Sequence, residues 1–178
     1  MPDVRLLLRI CARALGTFLP MVILMCGSSA VDNGATGRTL RDVVHLMVIW
    51  AALILVYALC SYAVLAFRAR GTGLQVTAAA LDADQVYELT PERSLRLHTA
   101  LGAAERACDV TGAPGEDLRF RWRPFRGKLF VDCSVSHDGS TGTSLLRMHA
   151  GRPRHAAAGL HGASAFVALC QVVRLVSR

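Results

Sequence analysis

Hydrophobic positions are concentrated in two N-terminal runs and then thin into shorter periodic segments. Val44 to Phe67 has 24 residues without a formal charge. As a helix it would be about 36 Å long, enough for a hydrocarbon core of about 30 Å. Trp50 and Tyr62 lie toward its ends, and Arg68 and Arg70 close it. The earlier run is interrupted by Arg9 and Arg13, so a span is expected over about 14–31, with Pro20 inside it. A cleaved signal peptide competes for this first run, with Ser28-Ser29-Ala30 as its cleavage site. A lipoprotein reading at Cys26 is poorer, because bulky Met25 precedes it. A turn-rich loop of about a dozen residues is expected from Asp32 onward. Five flanking arginines (Arg5, Arg9, Arg13, Arg68, Arg70) stand on one side against Arg38 and Arg41 on the other. The excess predicts a multi-pass protein of the cell membrane with both termini cytoplasmic.

After the Gly71-Thr72-Gly73 joint the pattern becomes that of a small α+β domain, expected over 74–178. Thr90-Pro91-Glu92 reads as a helix start with a capping hydroxyl. In the helix that follows, Leu97, Ala100, Leu101, Ala104 and Cys108 share a face, and Thr111 to Gly115 ends it. Leu118, Phe120 and Trp122 alternate with Arg119, Arg121 and Arg123, the period of a half-buried strand. Leu129 to Ser136 repeats that period, Asp138-Gly139 signals a hairpin, and Thr143 to His149 supplies a third strand. Leu74 to Ala80 offers a fourth strand, or Ala78 to Leu81 a short helix. The apolar segment 156–176 carries a polar stripe (His161, Ser164, Gln171, Arg174, Arg178), which favours a helix lying across the sheet over a third span. The expected fold is therefore a membrane helical hairpin, then a helix, a three- to four-stranded antiparallel meander and a C-terminal amphipathic helix.

Composition sharpens this picture in one respect. The 178 residues are 53% hydrophobic and only 19% charged, which excludes a disordered or collagen-like chain. Of 20 basic residues, Lys128 is the sole lysine. Charge in the domain is split: Leu81 to Asp117 has net charge −5, and Leu118 to Arg154 has +6. Alternate arginines on one strand project together, so Arg119, Arg121 and Arg123, with Arg126 and Lys128, form a candidate surface for an anionic partner. The lipid bilayer is the expected environment, and anionic lipid or an acidic protein surface the expected partner of this face. Nucleic acid lacks its motifs here.

Catalytic signatures are missing from the sequence: there is no G-x-S-x-G, Walker A, HExxH or GxGxxG pattern. The expected role is a non-enzymatic, membrane-tethered interaction or regulatory module without a cofactor. A small-ligand or lipid-binding domain is the alternative, with an apolar pocket lined by Phe120, Trp122 and Phe166. A hydrolase is the third class; it would need Ser134 or Ser136 within reach of a histidine such as His137 and an orienting acid such as Asp138. The six cysteines form no CxxC pair, and His149, His155 and His161 recur at a spacing that suits no metal site.

Overall fold

A computed structural model describes residues 3–33, 37–112, 117–126, 129–138, 143–151 and 163–177. The elements in chain order are α1 (Val4–Asn33), α2 (Gly37–Ala69), a 3₁₀ turn (Ala78–Leu81), β1 (Asp84–Leu89), α3 (Pro91–Gly102), β2 (Ala107–Thr111), β3 (Leu118–Trp122), β4 (Val131–Asp138), β5 (Thr143–Ala150) and α4 (Ser164–Val176). The fold is α+β, with one fully antiparallel five-stranded sheet in the order β1-β5-β4-β3-β2.

The two long helices pack along each other, and the rings of Phe18 and Trp50 sit 5.9 Å apart at their contact. Helix covers Asp32 and Asn33 and is present again from Gly37, where a dozen-residue loop was expected; 34–36 lie outside the described residues. Among the described residues, one helical stretch, Arg41–Ala69, is long and apolar enough to cross a membrane; its most apolar 18-residue window has a mean hydropathy of 2.5 and is 11% buried. α1 passes the same test only if Val4–Gly16 and Phe18–Leu24, inclined at 44°, count as one span. Pro20 accounts for that bend. It cannot donate to the carbonyl four residues back, at Gly16, and its ring clashes there. Among the described residues, every exposed large hydrophobic side chain except Val86, Leu95 and Val110 lies on α1 or α2.

Glycine ends α2. Gly71 and Gly73 take positive φ of 76° and 75°, the left-handed conformation that stops a helix and turns the chain. The Thr72 hydroxyl donates back to the Ala69 carbonyl at 2.7 Å. The short segment Ala78–Leu81 is a 3₁₀ turn, and the extra strand lies after it, at β1.

Thr90 stands at the start of α3, but its hydroxyl makes no capping bond; Pro91 and Glu92 fill the first turn as expected. The helix closes at Gly102, six residues before Cys108. Cys108 lies in β2 instead, a strand the helical reading had absorbed. β2 pairs with β3 through a bulge between Cys108 and Thr111, where Asp109 has φ 52°.

Two cores meet on α4. The first joins the inner sheet face (Leu118, Phe120, Trp122, Val131, Cys133, Val135, Leu146, Met148) to Leu97 and Leu101 of α3 and to one side of α4. The second joins Phe166, Val167 and Cys170 of α4 to Leu6 and Ile10 of α1, Ala58 and Leu65 of α2, and Leu81. α4 is thus the middle layer between the sheet and the base of the helix pair. That explains why residues Ser164 to Cys170 are buried without interruption, Ser164 of the expected polar stripe included. His161 and Arg178 of that stripe lie outside the described residues, as does the stretch 156–162.

Polar clamps fix this arrangement. Arg174 on α4 donates through Nη2 to the carbonyls of Arg68 (2.9 Å) and Arg70 (2.8 Å), which α2 leaves open at its C-terminus. Arg9 donates to the Ala78 carbonyl at 2.9 Å and pairs with Asp82 at 3.0 Å, and Arg13 donates to the Leu81 carbonyl at 3.0 Å. Asp3 accepts from the Ala78 amide at 3.1 Å. The charged start of α1 therefore grips the domain.

Candidate functional site

Strand alternation sends Arg119 and Arg121 to the outer sheet face, while Leu118, Phe120 and Trp122 enter the first core. Arg123 and Arg126 follow as exposed residues, and Lys128 lies outside the described residues. The outer face is concave, with a volume of about 520 Å³.

Strand register arranges this face in cross-strand rows. One row runs Asp84, His149, Asp132, Arg121, in the paired positions of β1, β5, β4 and β3. Asp109, swung out by the bulge of β2, extends it by pairing with Arg121. At the other end His149 Nδ1 lies 2.6 Å from Asp84 Oδ1. Three carboxylates (Asp84, Asp132, Asp109) face one arginine and one histidine along this row, so it is net negative, and Arg121 is neutralised by its acid partner.

The next row differs. Arg147 on β5 stands opposite Ser134 on β4, and Ser134 stands opposite Arg119 on β3. No carboxylate pairs with either arginine among the described residues. Two strand spacings separate them, about 10 Å, so both guanidinium groups can reach one anionic group above the Ser134 hydroxyl.

No protein family, curated protein or solved structure matches the chain.

The five basic positions singled out from the sequence divide by environment. Arg121 is held by Asp109 and lies 5.3 Å over the Phe130 ring. Arg123 lies 5.0 Å over the same ring. Arg119 stays open toward the concavity. Arg147 joins it from β5, a sixth basic residue beyond those five. The period-two alternation puts Arg147 and Ser134 on one face, but a two-residue Asp138-Gly139 turn would set Ser134 opposite Thr143; the observed pairing of Asp138 with Thr143 is what sets it opposite Arg147.

The alternative pocket residues sit apart. Phe120 and Trp122 belong to the first core, and Phe166 to the second, on the far side of α4. Trp122 donates its indole proton to Gln171 Oε1 at 2.8 Å, and Gln171 Nε2 donates to the Pro124 carbonyl at 3.0 Å. The proposed serine–histidine constellation is split by the pleat. Ser134 and Ser136 share the outer face, whereas His137 points to the other and meets the Ser144 hydroxyl at 3.2 Å. Among the described residues, no three His, Cys, Asp or Glu side chains gather to hold a metal ion.

Proposed function

We propose that this chain is an integral membrane protein in which α1 and α2 form a two-helix hairpin with both termini in the cytoplasm. Its α+β domain acts as a non-enzymatic interaction module, and the arginine row at one side of the concave face receives the carboxylates of an acidic protein surface. The observation that carries the interaction role is the row Arg119–Ser134–Arg147, two arginines with no ion pair among the described residues, on the side of the sheet away from α4. Guanidinium forks suit carboxylates, and Ser134 adds a donor between them. α4 and the sheet lie between this face and the helix pair, which favours a partner arriving from solution over the headgroups around the hairpin.

The apolar surface supports the membrane role. A core helix of a water-soluble protein would bury most of its length, whereas the most apolar 18-residue window within Arg41–Ala69 is only 11% buried. The first turns of α1, buried at Leu6 and Ile10 and clamped through Arg9, suit a retained segment better than a cleaved signal.

A fluorescent poly-glutamate peptide, titrated onto the full chain in nanodiscs of neutral lipid, tests the face. Saturable binding that weakens with salt is expected, with affinity about tenfold lower in R119S/R147S. R121S, which removes an already compensated charge, should change it much less. Equal affinity in all three proteins would refute the role of the row. Release of the intact chain into the aqueous phase by an alkaline wash would refute the membrane hairpin.

A further inference from the structure

We infer that a second binding site lies where α2 enters the domain, and that it takes the phosphate of an anionic phospholipid headgroup. The site rests on the membrane reading above but is independent of the sheet face. A groove of about 490 Å³ at this junction is lined by Arg68 from the last turn of α2, Arg106 from the turn before β2 and Arg174 from α4, with Glu105, Trp122 and Gln171. Among the described residues, three elements distant in sequence each contribute one arginine, against a single acid.

The groove is built on fixed groups. Arg174 is held by its two bonds to the end of α2, and Gln171 is pinned between the Trp122 indole and the Pro124 carbonyl. Arg106 reaches the Pro124 carbonyl at 3.4 Å, a long bond that leaves its other donors available. Arg68 has no side-chain partner among the described residues. Glu105 offsets one of three positive charges, so the lining retains a net positive field suited to a phosphate.

Continuity with α2 selects the source of that phosphate. The exposed apolar belt of α2 runs through Val64 and Phe67, and Phe67 is 65% exposed immediately before Arg68. Acyl chains lying along α2 bring their headgroup to the level at which the groove opens. Basic pockets beside membrane helices on the cytoplasmic side recognise anionic headgroups by this juxtaposition. The volume is within the range of small-molecule sites.

Native mass spectrometry of the full chain, ejected from nanodiscs with equal phosphatidylglycerol and phosphatidylcholine, tests the site. The wild type should retain one phosphatidylglycerol in preference to phosphatidylcholine. R68Q/R106Q should lower that preference about thirtyfold, from the loss of two charge-assisted contacts to the phosphate within the groove. R5Q/R70Q removes the same charge outside the groove and should keep the preference; equal loss in both variants would reduce it to bulk charge and overturn the site. Excess water-soluble glycerol phosphate should leave the lipid in place, and its displacement of the lipid would assign the groove to a free phosphate instead. Equal retention of both lipids by the wild type also overturns the inference. Because the chain would still be embedded in the bilayer in that case, the hairpin itself would stand; only release into water would remove both.

Discussion

Gly112 shows how narrowly one residue can be specified. Its φ of 112° lies where side chains are strained, and an added Cβ would meet the Asp117 carbonyl oxygen at 2.4 Å. The position directly follows β2, next to the bulge that delivers Asp109 to Arg121. G112A is therefore expected to cost about 1–3 kcal/mol, read as a lowered melting temperature of the full chain in detergent. The buried thiols give a second expectation. Burial pushes Cys133 from 9.0 up to about 12, with Asp132 adding to the shift, and burial pushes Cys170 from 9.0 up to about 11. The folded state holds these protons while the unfolded chain releases them near pH 9. Their contribution is thus intact below pH 9 and is lost as pH rises through 11 and 12. Melting temperature should fall along this alkaline limb, and C133V/C170V should flatten it. At pH 8 a maleimide should leave both thiols unmodified until the protein unfolds.

At the scale of elements, legibility follows the strength of the local period. β3 was readable because every second residue is arginine and every intervening one is large and apolar. β1 was not, because its alternation is inverted in places: exposed Val86 stands on the outer face and Gln85 on the inner. β2 was hidden by its bulge, which breaks the period at Asp109 and left Cys108 looking like one more helical core position. The concave site was half legible for the same reason. One strand supplied Arg119, while Arg147 and Ser134 needed the register of three strands. α4 shows the converse, since the apolar run was plain but its two-sided burial required knowing that α1 and α2 cover its second face. Two polar residues on α4 then do structural work that no periodicity announces. Truncating Arg174 to Met keeps most of the stem but leaves the Arg68 and Arg70 carbonyls without their partner. The expected cost is about 1–3 kcal/mol. Hydrogen exchange should accelerate locally at Arg70 to Leu74, with the sheet amides little changed; uniform protection in both proteins would show the clamp to be idle.

The whole molecule is organised around a shared helix rather than around two separable halves. Sequence composition shifts sharply at Gly71, which invites a boundary between anchor and domain. Yet the second core crosses that boundary, uniting Leu6, Ile10, Ala58 and Leu65 with Phe166, Val167 and Cys170. A fragment beginning at residue 74 would expose this face of α4, and would also lose the Arg9 and Asp3 contacts to Ala78 and the α2 carbonyls that hold Arg174. Uncovering Phe166 and Val167 alone forfeits about 1.5–3 kcal/mol each, a large part of what a domain of this size can spare. Expressed by itself, residues 74–178 should self-associate, bind hydrophobic dyes and melt well below the full chain. F166S/V167T should reduce the self-association without restoring the melting temperature, because solubility is recovered while the lost packing is not. Sedimentation of the fragment decides the matter: a monomer with the melting temperature of the intact protein would mean that the helix pair contributes nothing to the domain's stability. The rigid coupling expected instead gives the basic face one fixed attitude to the hairpin, so that a partner bound there is held at a set orientation rather than on a loose tether.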